Sequence, residues 1–244
     1  MMSQSQSKKA NRPEHCEECP SLGKGIFCEL ERLCLNELSG HKVNNVFKKG
    51  QTLFVEGNPP FGVFCVSEGN IKVSKMSADG KESIVRIASQ GDIIGHRSIF
   101  TDQYYSASAT AMEDSAVCFV DKKYIIKLVR EQPTVACHLI SLLGRDLGAA
   151  ENRIASFAKK NVRERVAEFL LLLKESHGTK DEDGRFRLVL KLSREEMASI
   201  VGTATETLIR FISELKDEGI IDQDGKSIVI CDEERLVEFA NIGY

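Results

Sequence analysis

The 244-residue chain has no run of about 18 consecutive apolar residues, and Met1 to Lys9 is Ser, Gln and Lys rather than an apolar stretch. Neither a membrane-spanning helix nor a secretory leader is expected, and the protein is expected to be cytoplasmic. A global basic excess is also missing: the net charge is −3. Any nucleic-acid surface must therefore be local rather than spread over the molecule. There is no nucleophile elbow, no phosphate-cradling loop and no His-rich metal helix, so no catalytic residue is assigned and an enzyme is not expected. What remains is an ordinary globular composition, 42% apolar and 28% charged, enough for real cores in one large domain or two modest ones.

Cysteine is the one residue type in mild excess. Of eight, Cys16, Cys19, Cys28 and Cys34 crowd into nineteen residues. In a reducing compartment such crowding suggests a metal or redox site before a disulfide frame. Cys65, Cys137 and Cys231 each stand beside apolar residues and are expected to be buried small hydrophobes.

The chain divides by its punctuation. Residues 1–14 are polar and contain Pro13, a flexible lead-in to the cysteine-rich segment that ends near residue 39. Over 40–132, runs such as Thr52 to Val55, Gly62 to Val66, Asn70 to Lys75 and Ser83 to Ile87 alternate with Gly50, Gly57, Gly69, Gly80 and Gly91. Short strands with a glycine turn about every ten residues predict a small β-roll or barrel. Pro133 opens a helix over 133–160, in which Ile140, Leu143, Leu147, Ala150, Ile154 and Phe157 recur at intervals of three and four and make one stripe. Gly144 and Gly148 weaken that helix intrinsically, so something must pack against it, either its own β-roll or the same helix of a second subunit. A further helix from Val162 to Lys174, a polar turn from His177 to Gly184, a strand on the alternation Phe186, Leu188, Leu190, Leu192 and a final hairpin around Gly225 complete residues 161–244. The fold class is α+β.

Within that last segment two short helices stand almost end to end. Ser193 with Glu196 makes a capping box for a helix from Arg194 to Val201, with Met197, Ile200 and Val201 facing inward and Gly202 ending it. Thr203 with Glu206 has the pattern of a second box only ten residues later, opening a helix from Ala204 to Glu218 that stops at Gly219. So tight a turn forces a steep crossing, and Ala198 supplies the small residue it needs. Leu208, Phe211, Ile212 and Leu215 take the inward face. Thr205, Glu206, Ile209, Arg210 and Ser213 face out. An arginine that can fork onto guanine, a carboxylate that can accept from cytosine and an apolar group that can touch a thymine methyl predict major-groove readout of double-stranded DNA. The alternative is an αα-corner with Glu206 and Arg210 as a surface ion pair.

The segment from Ser193 to Arg210, Ser-Arg-Glu-Glu-Met-Ala-Ser-Ile-Val-Gly-Thr-Ala-Thr-Glu-Thr-Leu-Ile-Arg, resembles the helix-turn-helix of the cyclic-AMP receptor protein and FNR family. The resemblance extends over nearly the whole chain: β-roll, dimerisation helix, the Lys159-Lys160-Asn161 hinge and a winged DNA-binding end. It implies that Glu206 and Arg210 read base edges and that Ser193, Arg194 and Thr207 contact phosphate, which positions without specifying. Thr205 stands where the cyclic-AMP branch has Arg and the FNR branch typically Val, so the half-site is not fixed by the motif. The resemblance further implies a homodimer on a palindromic operator and contact with RNA polymerase, for which the loop Asp79-Gly80-Lys81-Glu82 is the candidate surface.

It also bears on the effector. Cyclic-nucleotide binders of the family hold ribose with a Glu and phosphate with an Arg; here the matching stretches read Gly95-His96-Arg97-Ser98 and Tyr104-Tyr105-Ser106-Ala107. A neutral tyrosine cannot replace a guanidinium, so no cyclic nucleotide is expected, Arg97 being the only nearby cation, with His96 a partly exposed histidine. Cys16, Cys19, Cys28 and Cys118 resemble the ligand set of the oxygen-sensing FNR branch, which implies a [4Fe-4S] cluster whose assembly repacks the stripe and favours the dimer. Eight residues separate Cys19 from Cys28, longer than that branch leads one to expect, and Cys34 competes for a ligand position. Tetrahedral zinc, redox-active thiols and a β-roll that binds a small organic effector are the alternatives.

Overall fold

The computed structural model describes residues 13–101, 103–181, 184–225 and 227–242. The lead-in expected over residues 1–14 falls almost wholly outside the described residues. The chain forms two compact units that part between Asp146 and Leu147, inside the helix that the sequence sets apart as its own segment.

In the first unit, two short 3-10 turns (Cys16–Glu18 and Leu22–Lys24) and helix α1 (Arg32–His41) precede eight strands: β1 (Lys42–Phe47), β2 (Thr52–Phe54), β3 (Gly62–Glu68), β4 (Ile71–Met76), β5 (Glu82–Ala88), β6 (Ile93–Ile94), β7 (Ser108–Ala111) and β8 (Ser115–Asp121). Helix α2 (His96–Phe100) lies between β6 and β7, and α3 (Lys122–Glu131) and α4 (Pro133–Lys159) follow. The strands form two antiparallel four-stranded sheets, ordered β1-β8-β3-β6 and β2-β7-β4-β5. The predicted β-roll is present.

Strand β3 is buried on both faces, and its period of two divides its side chains between two cores. Phe64 and Val66 join Ile71, Ala88, Ala109 and Val117 in one core; Val63 and Cys65 join Cys16, Phe27, Leu38, Ile125 and Leu139 in the other, which the N-terminal segment and helices α1, α3 and α4 line. Asp121 starts α3 by accepting from the backbone N–H groups of Lys123 (2.9 Å) and Tyr124 (3.0 Å).

Along α4, Val135, Leu139 and Leu142 are buried. The predicted stripe lies elsewhere on the helix and is open: Ile140 is 68% exposed, Leu147 62% and Ile154 69%, with Leu143 and Ala150 exposed as well. Within the first unit the β-roll leaves Ile140 and Leu143 exposed. Phe157 is the member that differs, since its ring lies against the backbone of Gly202 and under the guanidinium of Arg165.

The second unit contains α5 (Val162–His177), β9 (Gly178–Lys180), β10 (Phe186–Leu188), α6 (Arg194–Val201), α7 (Thr205–Asp217), β11 (Ile221–Asp224), β12 (Ser227–Ile230) and α8 (Glu233–Phe239), with a sheet ordered β11-β12-β10-β9. Two expectations are corrected here. The polar turn after His177 contains a strand, because residues 178–180 pair with β10. The strand at Phe186 ends at Leu188; Leu190 and Leu192 are buried all the same, but outside it.

Candidate functional site

The two short helices owe their placement to their ends. Ser193 Oγ accepts from the N–H of Glu196 (3.1 Å) while the Ser193 N–H donates to Glu196 Oε2 (2.8 Å), a complete capping box. Gly202 closes α6 with φ +70°, and its N–H and that of Thr203 both donate to Ala198 O (2.8 and 3.0 Å). A side chain there would meet strain and contact: a Cβ would sit 2.6 Å from the Phe157 ring. Arg165 secures the turn from outside, donating to Val201 O (3.2 Å) and Gly202 O (3.3 Å). The second capping box does not form. Ala204 is the N-cap of α7 and provides no side-chain cap, so Glu206 is left on the surface instead of reaching back.

Burial sorts the faces. Leu208, Ile212 and Leu215 are sequestered with Met197, Ala198 and Val201, while Ile200 and Phe211, expected inside, are half-buried. Glu206, Ile209, Arg210 and Ser213 are exposed, with Thr205 and Thr207 partly so. Arg210 leans toward Glu214 (3.8 Å) and over the Phe211 ring (4.8 Å). Among the described residues the surface ion pair of the alternative reading, Glu206 with Arg210, is replaced by Arg210 with Glu214, and Glu206 and Arg210 are both exposed. Ser193 stands exposed at the start of α6, whereas Arg194 is half-buried along Met197 Sδ (3.4 Å), and burial lowers its guanidinium pKa.

Inside the β-roll, Tyr105 is 4% exposed, donates to Gly62 O (3.0 Å) and stacks on Phe54 at 4.1 Å. Burial raises its hydroxyl pKa. His96 is buried, not partly exposed as its polar neighbours lead one to expect, because α2 turns it inward to within 3.4 Å of Asp146 Oδ2. Arg86 bridges Asp146 (2.9 Å) and Asp92 (3.2 Å). Burial acts to raise the pKa of Asp146, but the contact with His96 and the charge of Arg86 outweigh it and hold the carboxyl below its ordinary value. Arg97 points out, exposed.

The cysteines separate into groups that spacing does not reveal. Cys65 and Cys118 are register partners on β3 and β8, and Asn44 on β1 is the next partner across. All three therefore share the sheet face covered by the N-terminal segment. Pro13 O accepts from Lys42 Nζ (2.6 Å) and Asn44 Nδ2 (3.0 Å), Cys118 Sγ donates to Asn44 Oδ1 (3.1 Å), and the Cys16 N–H donates to Ser39 Oγ (2.8 Å). Burial pushes the Cys118 thiol up to about 11; Lys42 opposes this, and the nearby Cys19 and Cys16 add to it. Burial also raises the Cys65 thiol, with Cys118, Cys16 and Cys19 contributing. Cys34 stands on α1 near Tyr124, whose hydroxyl burial pushes up to about 12. Cys28 belongs to neither group: its Sγ lies 3.8 Å from His138 Nδ1. Cys137 and Cys231, expected to be buried, are exposed, because helix neighbours point in different directions and because β12 ends at Ile230.

Two domain descriptions match this chain: a cyclic nucleotide-binding domain over residues 44–132 and a Crp-like helix-turn-helix domain over residues 164–239. The CRP-like cAMP-activated global transcriptional regulator of Mycobacterium tuberculosis is 30% identical over 216 residues, covering 88% of this chain and 96% of its own length. The chain belongs to the CRP/FNR family of transcription regulators. Another member, the transcriptional activator protein FnrA of Stutzerimonas stutzeri, is 27% identical over 233 residues, 95% of this chain and 94% of that one. Among solved structures, FixK2 from Bradyrhizobium japonicum superposes with a TM-score of 0.75 at 24% identity, covering 83% of this chain and 99% of that one. Family members of this type bind DNA through the helix-turn-helix, typically as dimers. They are regulators rather than enzymes. Among the described residues no helix is long and apolar enough to cross a membrane.

Proposed function

We propose that this protein is a homodimeric, sequence-specific regulator that responds to oxygen or redox state through a thiolate-held [4Fe-4S] group at the outer face of its β-roll. The observation that carries the sensing part is the strand register that sets Cys65 opposite Cys118 beneath the segment bearing Cys16. Cys16, Cys19 and Cys118 are three of the four thiols the sequence points to; the geometry favours Cys65 over Cys28 and Cys34 as the fourth. The donor set suits the group, since all four are sulfur and share one side of the sheet. Four sulfurs are not drawn into a cage: among the described residues, the one group of three potential ligand side chains with donor atoms within 4.8 Å lies elsewhere. When bound, the group would supply an oxygen-labile redox centre. The chain's part is to hold the Pro13 to Cys19 segment on β1 through Lys42 and Asn44 and on α1 through Ser39.

On the DNA side, Glu206 and Arg210 read base edges, Thr205 and Ile209 flank them, and Ser193, Arg194 and Thr207 hold phosphates. Two α7 helices of a dimer paired through Ile140, Leu143, Leu147, Ala150, Ile154 and Phe157 meet half-sites of a palindrome one helical turn apart. The exposed Asp79 to Glu82 turn offers a surface to RNA polymerase.

A β-roll that binds an organic effector is the second reading, favoured by the match of residues 44–132 to a cyclic nucleotide-binding domain and by the mycobacterial relative, a cAMP-activated regulator. Against it, Tyr105 fills the phosphate-holding position and spends its hydroxyl on Gly62. Anaerobic purification decides between them. The expected result is brown protein with iron and sulfide, lost in Cys118→Ser and Cys65→Ser; iron-free, colourless protein whose operator affinity rises with cAMP overturns the cluster.

A further inference from the structure

Cys28 and Glu29 follow the second 3-10 turn, and His138 lies one turn into α4, 110 residues beyond Cys28. One donor atom from each falls within 4.8 Å of the other two. The Cys28 Sγ to His138 Nδ1 separation is 3.8 Å. Sulfur and nitrogen on one tetrahedral zinc stand roughly 3.6 Å apart, from bonds of about 2.3 and 2.0–2.1 Å. The other ring nitrogen, Nε2, lies 3.6 Å from Glu29 Oε2. A carboxylate in that place orients a metal-bound imidazole through its far nitrogen or joins as a third donor. His138 Nδ1 is also 3.2 Å from Ile26 O, a carbonyl that can accept its proton when no ion is present. The Glu29 side chain is 65% exposed and that of His138 28%, so an ion can enter without unfolding the segment.

We infer that Cys28, Glu29 and His138 form a divalent-cation site for a borderline ion of the zinc class, one that ties the N-terminal segment to α4. A thiolate, an imidazole and a carboxylate are the donor mix such ions take, whereas calcium or magnesium would call for oxygen alone. Loading releases the Cys28 thiol proton and moves the ring proton from Nδ1 to Nε2, where it faces Glu29, so the imidazole stays neutral as it takes the ion. Because His138 and Ile140 are two residues apart on one helix, the ion fixes the N-terminal end of the exposed stripe. The inference rests on the sensor reading only in leaving Cys28 outside the four-thiol set.

The test uses the full-length, reduced, chelator-treated protein and Co²⁺ alone, followed by visible absorption under argon. Wild type is expected to show a tetrahedral spectrum with sulfur-to-cobalt charge transfer. His138→Ala and Cys28→Ser should each weaken this binding at least tenfold, as should Glu29→Gln to a smaller degree, with Cys137→Ser as the neutral control and circular dichroism confirming the fold. The anaerobic iron content should be unchanged by all four. Cobalt binding unaffected by His138→Ala overturns the site and leaves Glu29 and His138 as a surface ion pair. Iron lost in Cys28→Ser also overturns it, by assigning Cys28 to the cluster. If wild type holds no iron yet His138→Ala still loses cobalt, the cluster fails and the cation site stands.

Discussion

The two units of this chain carry function in opposite ways. In the DNA-binding unit the residues proposed to read bases sit on one 13-residue helix, α7, whose orientation is set by neighbours within about two turns: a capping box at Ser193, a left-handed glycine at 202 and the sequestered Leu208, Ile212 and Leu215. In the sensor unit they are assembled from afar. Cys16 comes near Cys118 and Cys65 because Pro13 is held on β1, Cys16 is tied to Ser39 of α1, β1 pairs with β8, and β8 pairs with β3. A site made of local pieces survives or fails with its own helix. A site made by strand pairing depends on the register of a whole sheet.

The contrast can be broken most forcefully at the stripe. Ile154→Glu places a charge where an apolar partner is proposed, and is expected to yield monomers in sedimentation velocity and to cost roughly 100-fold or more in operator affinity, since two half-sites are no longer held together. Circular dichroism should be unchanged, because Ile154 contributes little to its own unit's core. A dimer that persists would overturn the proposed interface. Next in size, Arg210→Ala should weaken operator binding by about 1–3 kcal/mol, roughly ten- to a hundredfold, with specificity relaxed at one base position. Iron content should stay as in wild type; if it fell, the two units would not be as separable as the contrast holds. The smallest effect belongs to the sensor unit. Asp146 has a depressed pKa, so its contribution to stability is present above the ordinary carboxyl value and is lost as pH falls through the lower folded one. Asp146→Asn should therefore lower stability near neutrality by about 1 kcal/mol or less and flatten the acid limb below about pH 4, wild type and variant converging as pH falls. A destabilisation by the variant that grows as pH falls would reverse the assignment.

The same contrast explains what could be read from the sequence. Caps, hinge glycines and the three-and-four spacing of α4 are short-range signals, and Ser193, Gly202, Pro133 and the stripe were legible through them. So were the glycine-punctuated strands of the β-roll. The second capping box was misleading because Thr203 and Glu206 have the right spacing, yet the chain caps α7 at Ala204 without a side chain. Tertiary pairing decided the rest. Residues 178–180 become a strand only because β10 is there to receive them. His96 is buried only because α2 turns it toward Asp146. Neither the pairing of Cys65 with Cys118 nor the approach of Cys28 to His138 has any trace in spacing, since each joins segments more than fifty residues apart.

The two-faced burial of β3 has a consequence for how such a sensor can change over time. Odd and even positions of this one strand supply two separate cores, the one between the sheets filled by aromatic rings and the one beneath the N-terminal segment containing Cys16 and Cys65. A single-residue insertion in β3 would exchange them, turning Phe64 outward and Cys65 into the interior, whereas a two-residue insertion would preserve the assignment. Parity along these seven residues thus decides which core receives each side chain, and one inserted codon would change that while leaving the sequences of α6 and α7 untouched.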